Sequence, residues 1–483
     1  MNENRKPTLL NIFWFRKDLR LEDNFALSEF LKFIKKSYGQ DYKFAFIYIK
    51  NNNSFSYFGE KRIYFLNESL IELSESLNYY GLKLHILRGS SSDLFKKLVA
   101  DFGRINVFAN KQVEPYSVKR DNIVKKIVES SGGKFNLFSD TTIFDFGKII
   151  KDDGTPYTVF TPFKKKFLSL LTTEMFTERF CDFSCFKNLD KENSISSFNN
   201  YETYDPAKEN KSLTASGFLK GGSIEGLKHL RNFYNNSLEN YKKNRDFPAL
   251  NGTSLISSYL HFGTISIREC FETAYKKLES ASSKDGIDTW ISELIWREFY
   301  YHITYHFPHV MQKSFRPEYE NIKWDNNELL FEKWKNGQTG FPIVDAGMRQ
   351  LVKDGWMHNR VRMITASFLT KDLLIDWMLG EKFFAEHLID LDFSSNNGGW
   401  QWSASTGCDA QPYFRIFNPY LQSVKFDPDG SYIRKYVPEL SDLPANVIHN
   451  PSDVDGIDYP EPVVVHSIQK NEALKRYRIK DNY

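Results

Sequence analysis

The chain has 483 residues, too many for one compact core, and its composition (41% hydrophobic, 26% charged) excludes a disordered polypeptide. Its 64 basic and 61 acidic residues leave a net charge of +3, which excludes a uniformly basic nucleic-acid surface and allows only a local patch. Four cysteines (Cys181, Cys185, Cys270 and Cys408) exclude a disulfide framework, and Cys181 with Cys185 lacks the second pair a zinc site needs.

The opening MNENRKPTLLNIFWF is too short and too early charged for a signal peptide. Lys371, Asp372 and Asp376 interrupt the most apolar later stretch, so a cytoplasmic protein with no membrane partner is expected. Residues 1–145 alternate strand and helix. LLNIFWFR, KFAFIYIK, KLHILRG and INVFANK read as buried parallel strands, with amphipathic stretches such as KRIYFLNESLIELSESLNYYG between them. This predicts an α/β N-terminal domain with an open, Rossmann-like parallel sheet, although RKDLRLEDN stands where a GxGxxG turn would follow the first strand. Residues 146–210 show no sustained period and read as a connector anchored by DGTPYTVFTPFKKKF. Residues 211–483 read as an all-α C-terminal domain, with long helices over TWISELIWREFYYHITYHF and RMITASFLTKDLLIDWML.

Four segments of the helical part carry candidate chemistry. Trp290, Glu293, Trp296, Arg297 and Tyr300 share one helical face, which suits either a flat aromatic ligand or a buried ion pair with indole packing. In GWMHNRVRMITASF, Asn359, Arg362 and Met363 share a face with Arg360 to its side, as an anionic ligand beside an apolar one would require. In DLDFSSNNGGWQWSASTGCDA, Asp390, Asp392, Asn396 and Asn397 offer directional edges, and Gly398 and Gly399 allow a heterocycle close to the backbone. Thr253, Ser254 and Ser257 of RDFPALNGTSLISSYLHFG stand at a helix start, where hydroxyls and free N–H groups bind phosphate or merely cap. His302 and His306 are spaced i, i+4 but lack the adjacent Glu of HExxH, so no metal site is expected. Aromatic residues reach 16%, and eight of the nine tryptophans lie between Trp290 and Trp402.

Together with WFRKDLRLEDN, TGFPIVDAGMRQL and QPYFRIFNP, these segments resemble the photolyase/cryptochrome family nearly end to end, most closely the class I cyclobutane-pyrimidine-dimer photolyases. The resemblance implies an antenna-chromophore domain over 1–145, an interdomain connector over 146–210 and a helical FAD-binding catalytic domain over 211–483. It implies light-driven repair of pyrimidine dimers in ultraviolet-damaged DNA by one electron from excited FADH⁻, in a monomeric protein. By position, Tyr241, Thr253, Ser254, Ser257, Trp290, Arg297, Asn359, Arg362, Asp390, Asp392 and Asn396 match FAD contacts, with Arg362 paired to Asp390 beside the isoalloxazine ring and Asn396 facing N5 of the flavin. Glu293, Trp296, Met363 and Trp402 match the dimer pocket; Arg245, Arg360 and Arg415 match DNA-phosphate clamps. Trp400, Trp377 and Trp324 match the tryptophan relay, and Trp334 and Trp356 are left to packing. The resemblance leaves the antenna open among a folate, a deazaflavin, a second flavin and an empty pocket. The rival within the family is a signalling cryptochrome. Against it stand Asn396 where plant-type cryptochromes carry Asp, the retained Met363 and Trp402, and a chain that ends soon after EALKRYRIKDNY.

Overall fold

The computed structural model describes residues 9–37, 42–51, 59–187, 193–213 and 219–477. Residues 1–8 of the opening segment, 52–58 of NNNSFSYFGEKR, 478–483 of the last segment and the Cys185 side chain lie outside the described residues.

Five strands form one parallel sheet in the order β3-β2-β1-β4-β5. They are β1 (Leu9–Phe15), β2 (Tyr42–Lys50), β3 (Leu84–Arg88), β4 (Ile105–Asn110) and β5 (Lys134–Phe138). Four helices make the crossovers: α1 (Phe25–Lys36), α2 (Glu60–Tyr79), α3 (Ser91–Phe102) and α4 (Pro115–Ser130). Alternation along β1 explains why the strands read as continuous apolar runs. Leu10, Ile12 and Trp14 pack with Leu94, Phe95 and Leu98 of α3 and Val124 and Val128 of α4. Phe13 turns to the opposite face, its ring 5.7 Å from that of Phe30 on α1. Both faces are thus covered, as a parallel sheet requires. The strand order reverses between β1 and β4, which opens a crevice beyond their carboxyl ends.

The chain divides into two compact units, one of Met1–Ile150, Leu168–Arg231 and Leu255–Lys276, the other of Lys151–Phe167, Asn232–Ser254 and Lys277–Tyr483. These units depart from the expected boundaries at 145 and 210. The expected connector is not structureless either: it contains helices over Phe160–Leu170 and Pro206–Ser212. Residues 255–276 join the sheet unit for an electrostatic reason. Arg268, 2% exposed, donates to both carboxylate oxygens of Asp23 at 2.8 and 2.9 Å and to Asp140 at 2.6 Å, and Arg20 also pairs with Asp140. Buried charges of this kind are tolerated only when paired.

The regular elements of the second unit's described residues are all helices. Its site-bearing helices are α5 (Asp285–His306), α6 (Asn359–Ser367), α7 (Trp377–His387) and α8 (Phe393–Ser403), and α9 (His466–Tyr477) closes the chain. A cluster including Val361, Ile364, Trp334, Trp377 and Trp400 forms its core. The single long helix expected over RMITASFLTKDLLIDWML is in fact broken. A π-helical turn over Phe368–Asp372 ends α6, Leu374 takes a left-handed φ of 54°, and the Asp376 side chain caps a new helix by accepting from the Met378 N–H at 3.0 Å. Periodicity registers apolar spacing, and that spacing survives such a break.

Candidate active site

Along α5, residues Glu293, Trp296, Arg297 and Tyr300 are half-buried while Trp290, Leu294, Ile295, Glu298 and Phe299 are buried. The i, i+3, i+4, i+7 spacing of the half-buried set puts them on one stripe, as expected. Trp290 continues that face one turn earlier but is fully buried. At 2% exposure its indole packs 5.2 Å from the Phe233 ring, and Phe233 in turn meets Tyr241 edge-on at 5.6 Å. The Arg245 guanidinium lies 5.2 Å from the Tyr241 ring centroid and donates to Glu293 Oε1 at 2.6 Å. Trp296 stacks in parallel on Phe160, with ring centroids 3.7 Å apart, so one of its faces is covered. Its neighbours Tyr300, Gly398, Trp402 and Cys408 line a cleft of about 20 Å³ with it. The Arg297 guanidinium sits 4.7 Å from the Tyr301 ring centroid.

Helix α6 begins at a histidine cap. His358 Nδ1 accepts from the Arg360 N–H at 3.2 Å, which requires that nitrogen to be unprotonated, and burial pushes the imidazole pKa down to about 4. Arg360 pairs with Asp246 at 2.8 Å, and its guanidinium covers the Phe426 ring at 4.3 Å. Arg362 donates from Nε to the Met357 carbonyl at 2.8 Å and from Nη2 to the two Asp390 oxygens at 2.9 and 3.1 Å. The pairing expected between Arg362 and Asp390 is therefore present. Asn359 is exposed, with its Nδ2 3.8 Å from the sulfur of half-buried Met363.

The NNGG segment is helical rather than a loop. Asp392 caps α8 by accepting from the Ser395 N–H at 2.8 Å, and it also accepts the Tyr301 hydroxyl. Gly398 does permit a close approach, but to α5: an added Cβ would lie 2.1 Å from carbons of the Tyr300 ring, whereas one at Gly399 would meet nothing within 4 Å. Asn396 donates to the Glu381 carbonyl at 3.2 Å, and Asn397 donates to the Val310 carbonyl at 2.9 Å and the Glu381 carboxylate at 3.1 Å. Trp400 lies in the core, edge-on to Phe384 at 4.9 Å, in the cluster that contains Trp377 and borders half-buried Trp324. Trp334 packs 6.2 Å from Trp400 and donates its indole N–H to the Thr365 carbonyl at 3.2 Å.

Thr253 and Ser254 are half-buried and precede Leu255, whose φ of 55° marks a backbone position rarely taken by a residue with a side chain. Ser257 is exposed and opens the Ser257–Phe262 helix, which belongs to the sheet unit. Arg415 is exposed. His302 is engaged by the Tyr157 carbonyl at 3.0 Å.

Two regions match known family models: residues 11–179 match DNA photolyase, and residues 290–479 match the FAD binding domain of DNA photolyase. The chain is 37% identical to a deoxyribodipyrimidine photo-lyase of Alkalihalophilus pseudofirmus, with 97% of this chain and 98% of that protein aligned. It belongs to the DNA photolyase family. Among solved photolyases, a bacterial class III enzyme from Agrobacterium tumefaciens superposes with a TM-score of 0.86 at 34% identity, over 99% of both chains. An archaeal photolyase from Sulfolobus tokodaii, solved with two FAD molecules, superposes with a TM-score of 0.81 at 31% identity, over 97% of this chain and 99% of that one.

Several residues that organise this photolyase-family site carry no motif of their own. Asp246 and Phe160 hold Arg360 and Trp296 from segments more than a hundred residues away, and nothing local signals the partnership. His358 had a legible signal, since it directly precedes a helical stretch, but histidine is an unusual cap. Glu381 lies in a stretch that periodicity treats as an ordinary helix surface, yet burial lifts its carboxyl to about 7.

Proposed function

We propose that this chain is a light-driven DNA repair enzyme, a deoxyribodipyrimidine photo-lyase that uses FAD to split cyclobutane pyrimidine dimers. The observation that carries the reading is the gathering, within one unit, of the Arg362–Asp390 pair, the Asn396 amide and the half-buried α5 stripe. The chemistry of this donor set fits a flavin dinucleotide. Arg297 and Arg362 provide cationic donors, Asn359 and Asn396 amides, Asp390 and Asp392 acceptors, and Tyr241, Thr253 and Ser254 hydroxyls, with Trp290 as apolar backing. Bound FAD supplies light absorption and the single electron that opens the cyclobutane ring.

The protein's own groups do the rest. Asp390 offsets the charge of Arg362 and fixes its fork, so the remaining guanidinium donors are pre-aimed. Asn396 presents its amide to the flavin N5 edge. Glu293 accepts hydrogen bonds from a dimer flipped out of the duplex, whose damaged pairing lowers the cost of extrusion. Arg245 orients that carboxylate through their 2.6 Å ion pair. Trp296, Trp402 and Met363 supply the apolar walls. Trp400, Trp377 and Trp324 form the electron relay to the surface, and Arg245, Arg360 and Arg415 contact DNA phosphates. A second, light-harvesting chromophore is assigned to the crevice between β1 and β4. There Arg16, 7% exposed, uses Nη1 on Asp121 while its buried Nε and Nη2 have no hydrogen-bond partner among the described residues. The protein acts as a cytoplasmic monomer on DNA, without a membrane.

The test is direct. The purified protein should carry a flavin absorption band, and illumination should remove thymine dimers from an oligonucleotide. A flavin band without dimer loss would favour the photoreceptor reading instead. Glu293→Ala should lower the yield of ring splitting while FAD stays bound, and an unchanged yield per absorbed photon would remove Glu293 from its role.

A further inference from the structure

Glu381 belongs to no candidate set above, yet it touches the site twice. It lies one turn into α7 and meets α8 with both its main chain and its side chain. Its main-chain carbonyl takes the Asn396 Nδ2 at 3.2 Å. A carbonyl can only accept, so the nitrogen end of the Asn396 amide is held toward α7 and the oxygen end is turned away from it. The Glu381 carboxylate takes the Asn397 Nδ2 at 3.1 Å. Asn397 is committed on its other sides: Nδ2 also serves the Val310 carbonyl at 2.9 Å, and Oδ1 accepts from Gln401 Nε2 at 3.1 Å. Asn397 therefore cannot turn away, and the carboxyl of Glu381 is fixed beside the residue adjoining Asn396.

The electrostatics around this carboxyl are sparse. From α8 it meets amides, and the turn over Pro308–Met311 contributes the Val310 carbonyl to the same knot. The charge that acts on it is Asp376, of like sign, at the cap of its own helix. Among the described residues no Lys, Arg or His pairs with it.

We propose that Glu381 is a positioning residue for the flavin: it sets which end of the Asn396 amide the flavin meets, and its ionisation changes the field behind that amide and so the flavin's reduction potential. The proposal rests on the reading that Asn396 faces N5. Desolvation, with a smaller contribution from Asp376 against the opposing Asn397 bond, lifts the Glu381 carboxyl to about 7, so its charge changes within the working range of the protein. As pH rises through that value a negative charge appears near the flavin edge. A negative charge disfavours adding electrons, so the potential falls beyond the fall that free flavin shows.

The experiment is a spectroelectrochemical titration of bound FAD from pH 5.5 to 8.5 in the wild-type holoprotein and in Glu381→Gln. Glutamine keeps the acceptor toward Asn397 and removes the ionisation. The wild type should show an extra inflection near pH 7, and Glu381→Gln should lose it and hold a higher potential at pH 8.5. Parallel curves would overturn the proposal. If the glutamine variant does not hold FAD, Glu381→Asp, which withdraws an acid from Asn397, takes its place. A displaced inflection supports the assignment and an unmoved one overturns it. Failure of the wild type to bind FAD would instead overturn the flavin reading itself.

Discussion

His358 shows how one side chain ties the candidate site to pH. Its Nδ1 must stay unprotonated to cap α6, the helix that carries Arg360, Arg362 and Met363. Burial is the main cause of its low pKa, with Arg360 and Arg362 adding to it and Asp246 opposing. A histidine whose folded pKa lies below its unfolded value of 6.5 contributes stability above that value and loses it as pH falls toward about 4. The full span is worth about 3 kcal/mol. Asp372, buried and bonded to His466 at 2.5 Å, works in the opposite sense: its carboxyl is raised to about 6, so its contribution is lost as pH rises from about 4 to 6. The expected outcome is that His358→Asn, which keeps a capping oxygen, narrows the gap between urea midpoints at pH 5 and pH 7.5. Asp372→Asn, which removes the opposing contribution, should show a wider gap than wild type. If the gap at His358→Asn equals that of wild type, the cap does not titrate as argued.

At the scale of elements, α5 and α8 approach closely because Gly398 faces the Tyr300 ring. Gly398→Ala should destabilise the protein by about 1–3 kcal/mol through overpacking. Gly399→Ala, one residue on and facing open space, should be neutral or stabilise by up to about 1 kcal/mol through helix propensity. Thermal melts of the two variants decide this, and equal shifts would refute it. The same pair shows what was legible in the sequence. The NNGG string announced a close approach, but not that a tyrosine from α5 fills it, because the partner is fixed only when two distant helices meet. Four strands, the α5 stripe and the Arg362–Asp390 pair were legible, since each follows from local period or from a motif. The break between α6 and α7 was not. It depends on a π turn and a left-handed leucine, which leave the apolar spacing intact. Residues 255–276 likewise read as part of the helical domain, because the ion pairs of Arg268 with Asp23 and Asp140 span more than a hundred residues.

For the whole molecule, a net charge of +3 means that DNA affinity has to come from a few local cations. Two of the three assigned clamps are already engaged: Arg245 with Glu293 at 2.6 Å and Arg360 with Asp246 at 2.8 Å. A phosphate reaching either must compete with a carboxylate, so neither adds a full counterion-release increment. Arg415 is exposed and free of that competition in the salt bridges of the described residues. Each phosphate neutralised contributes about 0.9 to the slope of log K against log salt on duplex DNA. Arg415→Ala should therefore lower the slope by about 0.9 and weaken binding to damaged and undamaged duplexes alike, because a phosphate contact carries no information about the base. Arg360→Ala should lower it by less, since it also removes the nearer of the two cations paired with Asp246. Fluorescence anisotropy between 50 and 200 mM salt, on matched oligonucleotides with and without a thymine dimer, measures both. An Arg415→Ala slope equal to wild type would mean that this residue stays clear of the DNA.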